Sequence, residues 1–325
     1  MVMIILVLFL ALTFDSNSAM KHISKKLICL SLLIFVSFIS GCKDDEPKQL
    51  TVVSTIGMIH DVVKNIAGDK VNAIGLMGPG VDPHLYKASQ GDVTHLSNAD
   101  LIFYNGLHLE AKMIDIFEKM SKTKLTIAVT QGIPESKLTS HPDYEGFHDP
   151  HVWFDVNLWI LATKEITKGL IQLDPKNKDF FTKNETEYIT KLQELNTWII
   201  TQIASIPTQR RLLVTAHDAF GYFGNAYNFR VVGLQGISTA SEAGTKDIQR
   251  VTRVIIDNEI PTIFIESSVP IRHIQALQAS VQSKGREVTI GHELFTDAMG
   301  DANTIEGTYI GMVRYNVTQI VNGLK

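Results

Sequence analysis

Short apolar runs alternate with helical stretches along most of the chain. The candidate strands span residues 50–56, 71–77, 100–106, 125–130, 211–217, 229–235, 261–267 and 286–291. Continuous apolar runs separated by helices are typical of parallel strands whose two faces are both covered. Since four of these runs lie in each half, the pattern predicts an α/β protein with two lobes. Each lobe is expected to contain a four-stranded, mainly parallel sheet with flanking helices.

The strongest helical pattern lies between the two halves, at residues 177–206. Its apolar positions are spaced by 7, 4, 3, 4 and 4 residues, as on one face of an α-helix: Phe181, Tyr188, Leu192, Leu195, Ile199 and Ile203. Pro175 precedes this stretch and Pro207 follows it, as helix boundaries require. A helix of about 27 residues is roughly 40 Å long. The sequence therefore predicts an N-terminal lobe at 50–175, a rigid linking helix at 176–206 and a C-terminal lobe at 207–325.

The first 41 residues are predicted to be a signal peptide region. Three lysines between residues 21 and 26 precede an uncharged apolar run at 27–39. This run is shorter than the ~20 residues that span a bilayer, and it suits the core of a signal peptide. The following Ile39-Ser40-Gly41-Cys42 resembles a bacterial lipobox, so Cys42 is the expected lipidated N-terminus, followed by a tether over 42–49. Because residues 20–42 form a complete signal, translation is expected to start at Met20.

Composition removes several classes of function. The chain has 325 residues, with 30 Lys and Arg against 34 Asp and Glu, and a formal net charge of −4. With no basic block, it is not expected to bind nucleic acid. The cysteines, Cys29 and Cys42, are too few for a disulfide scaffold or a cysteine-based zinc site.

Four potential metal ligands follow predicted strands, whereas phosphate-binding glycine loops and the HExxH, GxSxG and CxxC motifs are absent from the sequence. His84 and His151 each end an Asp-Pro-His tripeptide, His217 ends the fifth strand, and Asp297 follows the eighth. Ligands of open α/β sheets bind at the carboxyl ends of strands, so these residues could meet across a cleft. Histidines at loop ends are nevertheless more often exposed or locally hydrogen-bonded, and the spacing alone leaves both interpretations open.

Six segments carry a family resemblance: GPGVDPHLYKAS (78–89), ADLIFYNGLHLEAKM (99–113), DPHVWFDVNLW (149–159), TAHDAFGYFG (215–224), GLQGISTASEAGT (233–245) and ELFTDAMG (293–300). In this order, behind a lipobox, they resemble the zinc/manganese-binding lipoproteins of ABC transporters, the TroA-like group of cluster A-I solute-binding proteins. The resemblance covers essentially the whole mature chain. It implies two four-stranded lobes bridged by a long helix, with a metal ion between them. By position, His84, His151, His217 and Asp297 match the family's four ligands.

The resemblance implies a receptor rather than an enzyme. Such a protein is exported, anchored to the bacterial membrane through lipidated Cys42, and expected to be a monomer. It captures one divalent ion, Mn²⁺ or Zn²⁺ with Fe²⁺ also compatible, and delivers it to an ABC-transporter permease. Two alternatives are a zinc hydrolase with three histidines and a surface adhesin. A hydrolase needs an open coordination position, which a fourth ligand at Asp297 would close.

The metal itself stays open at the level of sequence. Manganese-dedicated family members often have Glu at the third ligand position, where this chain has His217. Zinc-dedicated members often carry a long His/Asp-rich loop, but residues 139–149 contain only His141 and His148. Glu266 ends a predicted strand and is expected to hold an imidazole N–H group near the cleft. Because the histidines must be neutral to bind metal, affinity is expected to fall as pH drops through about 6.5.

Overall fold

The computed structural model describes residues 49–140 and 146–325. The predicted signal peptide, the lipidation site Cys42 and the tether as far as residue 48 lie outside the described residues, and so does His141. Within the two described ranges, no helix is both long enough and apolar enough to cross a membrane.

The first sheet is built from strands that alternate with helices along the chain. All neighbouring strands are parallel, in the order β2-β1-β3-β4. Each strand continues into a helix or loop that returns the chain to the starting edge, as parallel pairing requires. In chain order the elements are β1 (Leu50–Ser54), α1 (Gly57–Ala67), β2 (Val71–Gly75), α2 (Gln90–Asn98), β3 (Leu101–Tyr104), α3 (Ile114–Ser121) and β4 (Leu125–Ala128).

The second half of the chain contains two parallel strand pairs. Its elements are β5 (Leu212–Thr215), α6 (Gly221–Tyr227), β6 (Arg230–Gly233), α7 (Thr245–Asp257), β7 (Thr262–Ile263), α8 (Arg272–Gln282) and β8 (Thr289–Ile290). Strand β5 pairs with β6 and β7 with β8, both parallel. The N–H group of Phe264 donates to the carbonyl of Val214 at 2.9 Å, which joins the two pairs in the order β6-β5-β7-β8. The predicted parallel α/β architecture is confirmed, but the second half has two linked strand pairs in place of one continuous four-stranded sheet. We call the two pairs together the second sheet, and its strands β7 and β8 are much shorter than predicted.

Two long helices connect the sheets, α4 (Val156–Leu173) and α5 (Lys178–Ile203). The 26 residues of α5 form the predicted linking helix, and Pro175 and Pro207 flank it. Its buried residues are the six that the apolar spacing singles out: Phe181, Tyr188, Leu192, Leu195, Ile199 and Ile203. The prediction of one long helix is therefore confirmed, including the face that it buries.

The last helix, α9 (Tyr309–Leu324), packs against α5 and α1. Asp61 of α1 marks this junction, since its Oδ2 accepts hydrogen bonds from the Tyr188 hydroxyl at 3.0 Å and the Tyr309 N–H group at 3.3 Å. Burial raises the pKa of Asp61 despite these two donors. One buried carboxylate thus joins helices from the beginning, the middle and the end of the described chain.

Candidate metal centre

Four side chains converge at the carboxyl ends of the two sheets. His84 lies in the loop after β2, His151 follows β4, His217 follows β5 and Asp297 follows β8. One donor atom from each lies within 4.8 Å of the others. We call these residues the donor cluster. The structure thus brings together the four residues that the sequence singles out.

The distances within the donor cluster suit a small metal ion. The Nε2 atom of His151 lies 3.3 Å from Nε2 of His84 and 3.4 Å from Nε2 of His217. The Asp297 oxygens lie 3.4 Å from His151 Nε2, 3.3 Å from His217 Nε2 and 3.8 Å from His84 Nε2. Ligand atoms placed 2.0–2.1 Å from a tetrahedral ion lie about 3.4 Å apart. The donors therefore surround a point at which such an ion fits.

The donor cluster is shielded from solvent. His151 and His217 are fully buried, and His84 and Asp297 are at most 3% exposed. Neither carboxylate oxygen of Asp297 has a hydrogen-bond partner in the described part of the chain. The close contacts of these oxygens are the imidazole nitrogens of the donor cluster. Burying a carboxylate without other donors is costly, and a metal ion shared with the imidazoles would compensate that cost.

Two matching turns present His84 and His151. In each Asp-Pro-His tripeptide, Oδ1 of the aspartate accepts the backbone N–H group of the histidine, at 2.9 Å from Asp82 to His84 and 2.9 Å from Asp149 to His151. This is the Asx turn, in which a short carboxylate side chain closes a tight bend. The repeated tripeptide is a sequence signal for this geometry.

Asp149 and Asp82 differ in the second hydrogen bond that each side chain makes. Asp149 Oδ1 also lies 2.7 Å from Nδ1 of His151, which fixes the ring with Nε2 facing the donor cluster. Asp82 instead accepts the hydroxyl of Thr239 at 2.6 Å. Thus one turn orients an imidazole, and the other links two distant loops.

Glu266 performs for His217 the role that Asp149 performs for His151. Its Oε1 accepts the backbone N–H group of His217 at 2.9 Å, and its Oε2 is hydrogen-bonded to His217 Nδ1. The expectation that Glu266 holds an imidazole N–H group is confirmed. Carboxylate partners of this kind orient ligating histidines and increase their basicity.

A buried amide supports the loop that carries His151. Asn105 donates from Nδ2 to the carbonyl of Pro150 at 3.0 Å, and its own backbone N–H group donates to Glu110 at 2.7 Å. Burial raises the pKa of Glu110, although several donors surround it. Sequence reasoning did not identify this support, because it depends on contacts between separate loops.

Charge within the donor cluster is divided unevenly among the histidines. Burial lowers the pKa of His84 to about 3. Burial also acts to lower the pKa of His151, but Asp149 and Asp297 outweigh it and raise that pKa to about 9. For His217, Glu266 and Asp297 likewise outweigh burial and raise the pKa well above its usual value. Burial would raise the pKa of Asp297, but the neighbouring His217 and His151 hold it well below the usual range.

The chain matches a known family over nearly all of its described length. Residues 52–323 match the ZnuA family, described as the zinc-uptake complex component A, periplasmic. This protein belongs to the ZnuA family. The match spans both sheets, the linking helix and all four residues of the donor cluster.

Known metal-binding proteins are similar to this chain over nearly its whole length. The zinc-binding protein TroA of Treponema pallidum is 50% identical over 306 residues, which cover 94% of this chain and 98% of that protein. The manganese-binding lipoprotein MntA of Bacillus subtilis is 45% identical, over 91% of this chain and 98% of its own length. The manganese ABC transporter substrate-binding lipoprotein PsaA of Streptococcus pneumoniae is 34% identical, over 94% and 99%.

A solved structure of the periplasmic zinc binding protein TroA from Treponema pallidum has the same fold. It superposes with a TM-score of 0.83 at 51% identity, covering 85% of this chain and 99% of the other. The resemblance inferred from the six sequence segments is therefore confirmed.

Proposed function

We propose that this protein binds one divalent metal ion, Mn²⁺ or Zn²⁺, through the donor cluster and delivers it to the permease of an ABC transporter. The observation that carries this proposal is the convergence of four buried donor atoms within 4.8 Å. The proposed ligands are His84, His151, His217 and Asp297. The ion is the cargo of the protein and not a resident cofactor.

The position of the donor cluster explains how capture and release of the metal ion would depend on the conformation of the protein. His84 and His151 come from loops of the first sheet, and His217 and Asp297 come from loops of the second. An ion bound to all four stabilises the arrangement in which the sheets lie close together. A permease that favours a more open arrangement would weaken binding, because a ligand shifts the equilibrium toward the state that it prefers.

The donor set supports zinc and manganese to different degrees. Three imidazoles and one carboxylate are typical of a four-coordinate zinc site. If Asp297 binds through both oxygens, the coordination number rises, which suits manganese better. Relatives with half or nearly half of their residues identical to this chain are named for zinc in one case and manganese in the other.

The enzyme and adhesin alternatives are not supported. The family description and the relatives' names are those of uptake and binding proteins. The Asp297 carboxylate lies where a zinc hydrolase would hold its reactive water, as its 3.3 and 3.4 Å distances from two imidazole nitrogens indicate.

Metal content and thermal stability test the proposed ligands. Metal bound only by the folded protein stabilises it by about 4 kcal/mol at a thousandfold excess over Kd. His84→Ala and Asp297→Ala are expected to lower the bound metal per chain and the metal-induced rise in Tm. The matched controls are His95→Ala, at an exposed position, and His273→Ala, at a half-buried one. Stoichiometric binding with unchanged affinity in both cluster variants would falsify the ligand assignment.

The proposed localisation is export followed by anchoring to the membrane through a lipid on Cys42. It is supported by the lipobox and by the lipoprotein names of two relatives. The mature chain would then consist of the tether at 42–49, lobes at 50–175 and 207–325, and the linking helix at 176–206, and it would act as a monomer. Cys42→Ala is expected to release the protein from membranes. A variant that remains fully membrane-bound would contradict the lipid anchor.

A further inference from the structure

We propose that Thr296 is a positioning residue that holds the proposed metal ligands of both lobes in register. Thr296 directly precedes Asp297 and is completely buried. Its hydroxyl donates to Glu266, the carboxylate that orients His217. Its carbonyl accepts the indole N–H group of Trp153, which lies two residues after His151. The inference rests on the proposed metal site, and it assigns a role to a residue that is not itself a ligand.

The hydroxyl of Thr296 fixes Glu266. It donates to Glu266 Oε2 at 3.1 Å, the same oxygen that is hydrogen-bonded to His217 Nδ1. Ser268 Oγ lies 3.1 Å from the Thr296 hydroxyl oxygen. Because a hydroxyl has one hydrogen, which Thr296 gives to Glu266, Ser268 is the donor in this second bond. The carboxylate that orients the His217 ring is therefore itself held in place.

The carbonyl of Thr296 reaches across to the first lobe. It accepts the indole N–H group of Trp153 at 3.0 Å, between residues 143 positions apart. The Trp153 ring lies against His151 at 5.2 Å between centroids, nearly perpendicular at 74°. The Trp153 carbonyl in turn accepts the Tyr309 hydroxyl at 2.7 Å. Trp153 is thus held at its indole and at its carbonyl, and its indole links the loop after β8 to the loop that carries His151.

Asp297 is the ligand that most needs this support. His151 and His217 each have a carboxylate on Nδ1, and the backbone of His84 is held by Asp82. The Asp297 oxygens have no hydrogen-bond partner in the described residues. Apart from the imidazole nitrogens of the other proposed ligands, the orientation of this carboxylate depends on its backbone. The residue before it, Thr296, is held both at its hydroxyl and at its carbonyl.

Thr296→Val tests the hydroxyl arm with little change in side-chain shape. Residues that hydrogen-bond directly to a metal ligand typically contribute 10–100-fold to metal affinity. Thr296 bonds Glu266 and not the ligand His217 itself, so it is expected to contribute about tenfold. Co²⁺ is the probe, because its visible absorption bands report coordination geometry as well as occupancy. We expect Thr296→Val to bind Co²⁺ about tenfold more weakly and with shifted bands. Thr296→Ser keeps the hydroxyl and is expected to restore both affinity and bands.

The matched control is Thr252→Val. Thr252 is also a buried threonine of the second lobe, and its hydroxyl bonds Ser280 at 2.8 Å, on helices α7 and α8. It is expected to retain the wild-type Co²⁺ affinity and spectrum. An equal loss in Thr252→Val and Thr296→Val would overturn the inference, since a general packing defect would then explain both.

The remaining outcomes separate this inference from the proposed function. If the wild-type protein does not bind Co²⁺, Mn²⁺ or Zn²⁺, the proposed function is wrong. If the wild type binds Co²⁺ and Thr296→Val matches it in affinity and bands, only the positioning role is overturned. Should Thr296→Val fail to fold, Trp153→Phe removes the indole donor and tests the carbonyl arm. Unchanged Co²⁺ affinity in that variant would overturn the inference.

Discussion

Thr239 donates its hydroxyl to Oδ2 of Asp82 at 2.6 Å, although the two residues are 157 positions apart and belong to different lobes. The other oxygen of Asp82 accepts the backbone N–H group of His84 at 2.9 Å. One carboxylate therefore connects a proposed ligand of the first lobe to the loop that follows β6 in the second. Separating the lobes requires this bond to break.

Thr239→Val is expected to speed the release of metal. The lost hydrogen bond to a charged group contributes about 1.5 kcal/mol, so the dissociation rate should rise roughly tenfold. The association rate should change little, because the bond forms only when the lobes close. Stopped-flow mixing of loaded protein with excess chelator measures the release directly. Thr239→Ser is the control that keeps the hydroxyl, and equal release rates in wild type and Thr239→Val would contradict a closing role.

Metal preference is expected to depend on the pair formed by His217 and Glu266. His217→Glu adds a carboxylate, which suits manganese better than an imidazole does. In that variant the new side chain faces Glu266 without an N–H group between them. The double variant His217→Glu with Glu266→Gln restores a donor, so it should shift preference toward Mn²⁺ roughly tenfold further than the single variant. Competition titrations with both metals measure this shift, and identical preference in the two variants would contradict it.

Metal binding is expected to release protons at pH 7. With a pKa of about 9, His151 carries a proton at neutral pH in the metal-free protein, and the raised pKa of His217 has the same consequence. His84, with a pKa of about 3, is already neutral. Since metal displaces these protons, metal affinity should fall as pH drops below about 9, the pKa of His151.

Calorimetry in two buffers with different ionisation enthalpies counts these protons. The pH range over which metal affinity changes lies above the value of about 6.5 expected for an ordinary imidazole. The raised pKa values arise from Asp149 beside His151, from Glu266 beside His217 and from Asp297 beside both, since these carboxylates favour the charged form of the histidines. Binding at pH 7 without proton release would contradict the raised pKa values.

Tyr188→Phe is expected to destabilise the metal-free protein at neutral pH. It removes the 3.0 Å hydrogen bond to Asp61 and leaves the 3.3 Å bond from the Tyr309 N–H group. Depriving a buried carboxylate of one donor costs about 1–3 kcal/mol. The pKa of Asp61 is already raised by burial, and the substitution raises it further, so the loss should shrink as pH falls and Asp61 becomes protonated.

Urea unfolding at pH 7 and at an acidic pH measures this effect. Tyr315→Phe, at a half-buried position on α9, is the matched control and should change the free energy of unfolding much less. A loss in Tyr188→Phe that is independent of pH would mean that Asp61 is not the partner that matters.

The linking helix was predictable because its signal is local. Its six buried positions follow the helical period, and the flanking prolines stop it at both ends. The lengths of the strands in the second sheet were less predictable, because the apolar residues continue beyond the residues that pair with a neighbouring strand. Strand β7 ends at Ile263, but Glu266 still pairs with Leu294 in an isolated parallel bridge, so the predicted strand is interrupted and not absent there.

The donor cluster was predictable for a different reason. Residues after parallel strands share one edge of a sheet, so His84, His151, His217 and Asp297 were expected to meet, and the family resemblance selected them among all histidines and carboxylates. The bonds of Thr239 to Asp82 and of Trp153 to Thr296 were not predictable. They join residues 157 and 143 positions apart and depend on how two lobes are placed.

The packing of α9 has a consequence for how the chain unfolds. Its buried side chains pack against α5 and α1. The sixteen residues of α9 therefore supply part of the apolar core of the first half. A fragment ending before Tyr309 would expose that core, and a fragment beginning after the linking helix would carry α9 without its partners. Loss of α9 should therefore be coupled to unfolding of the first-half core, and the two should melt together in one calorimetric transition.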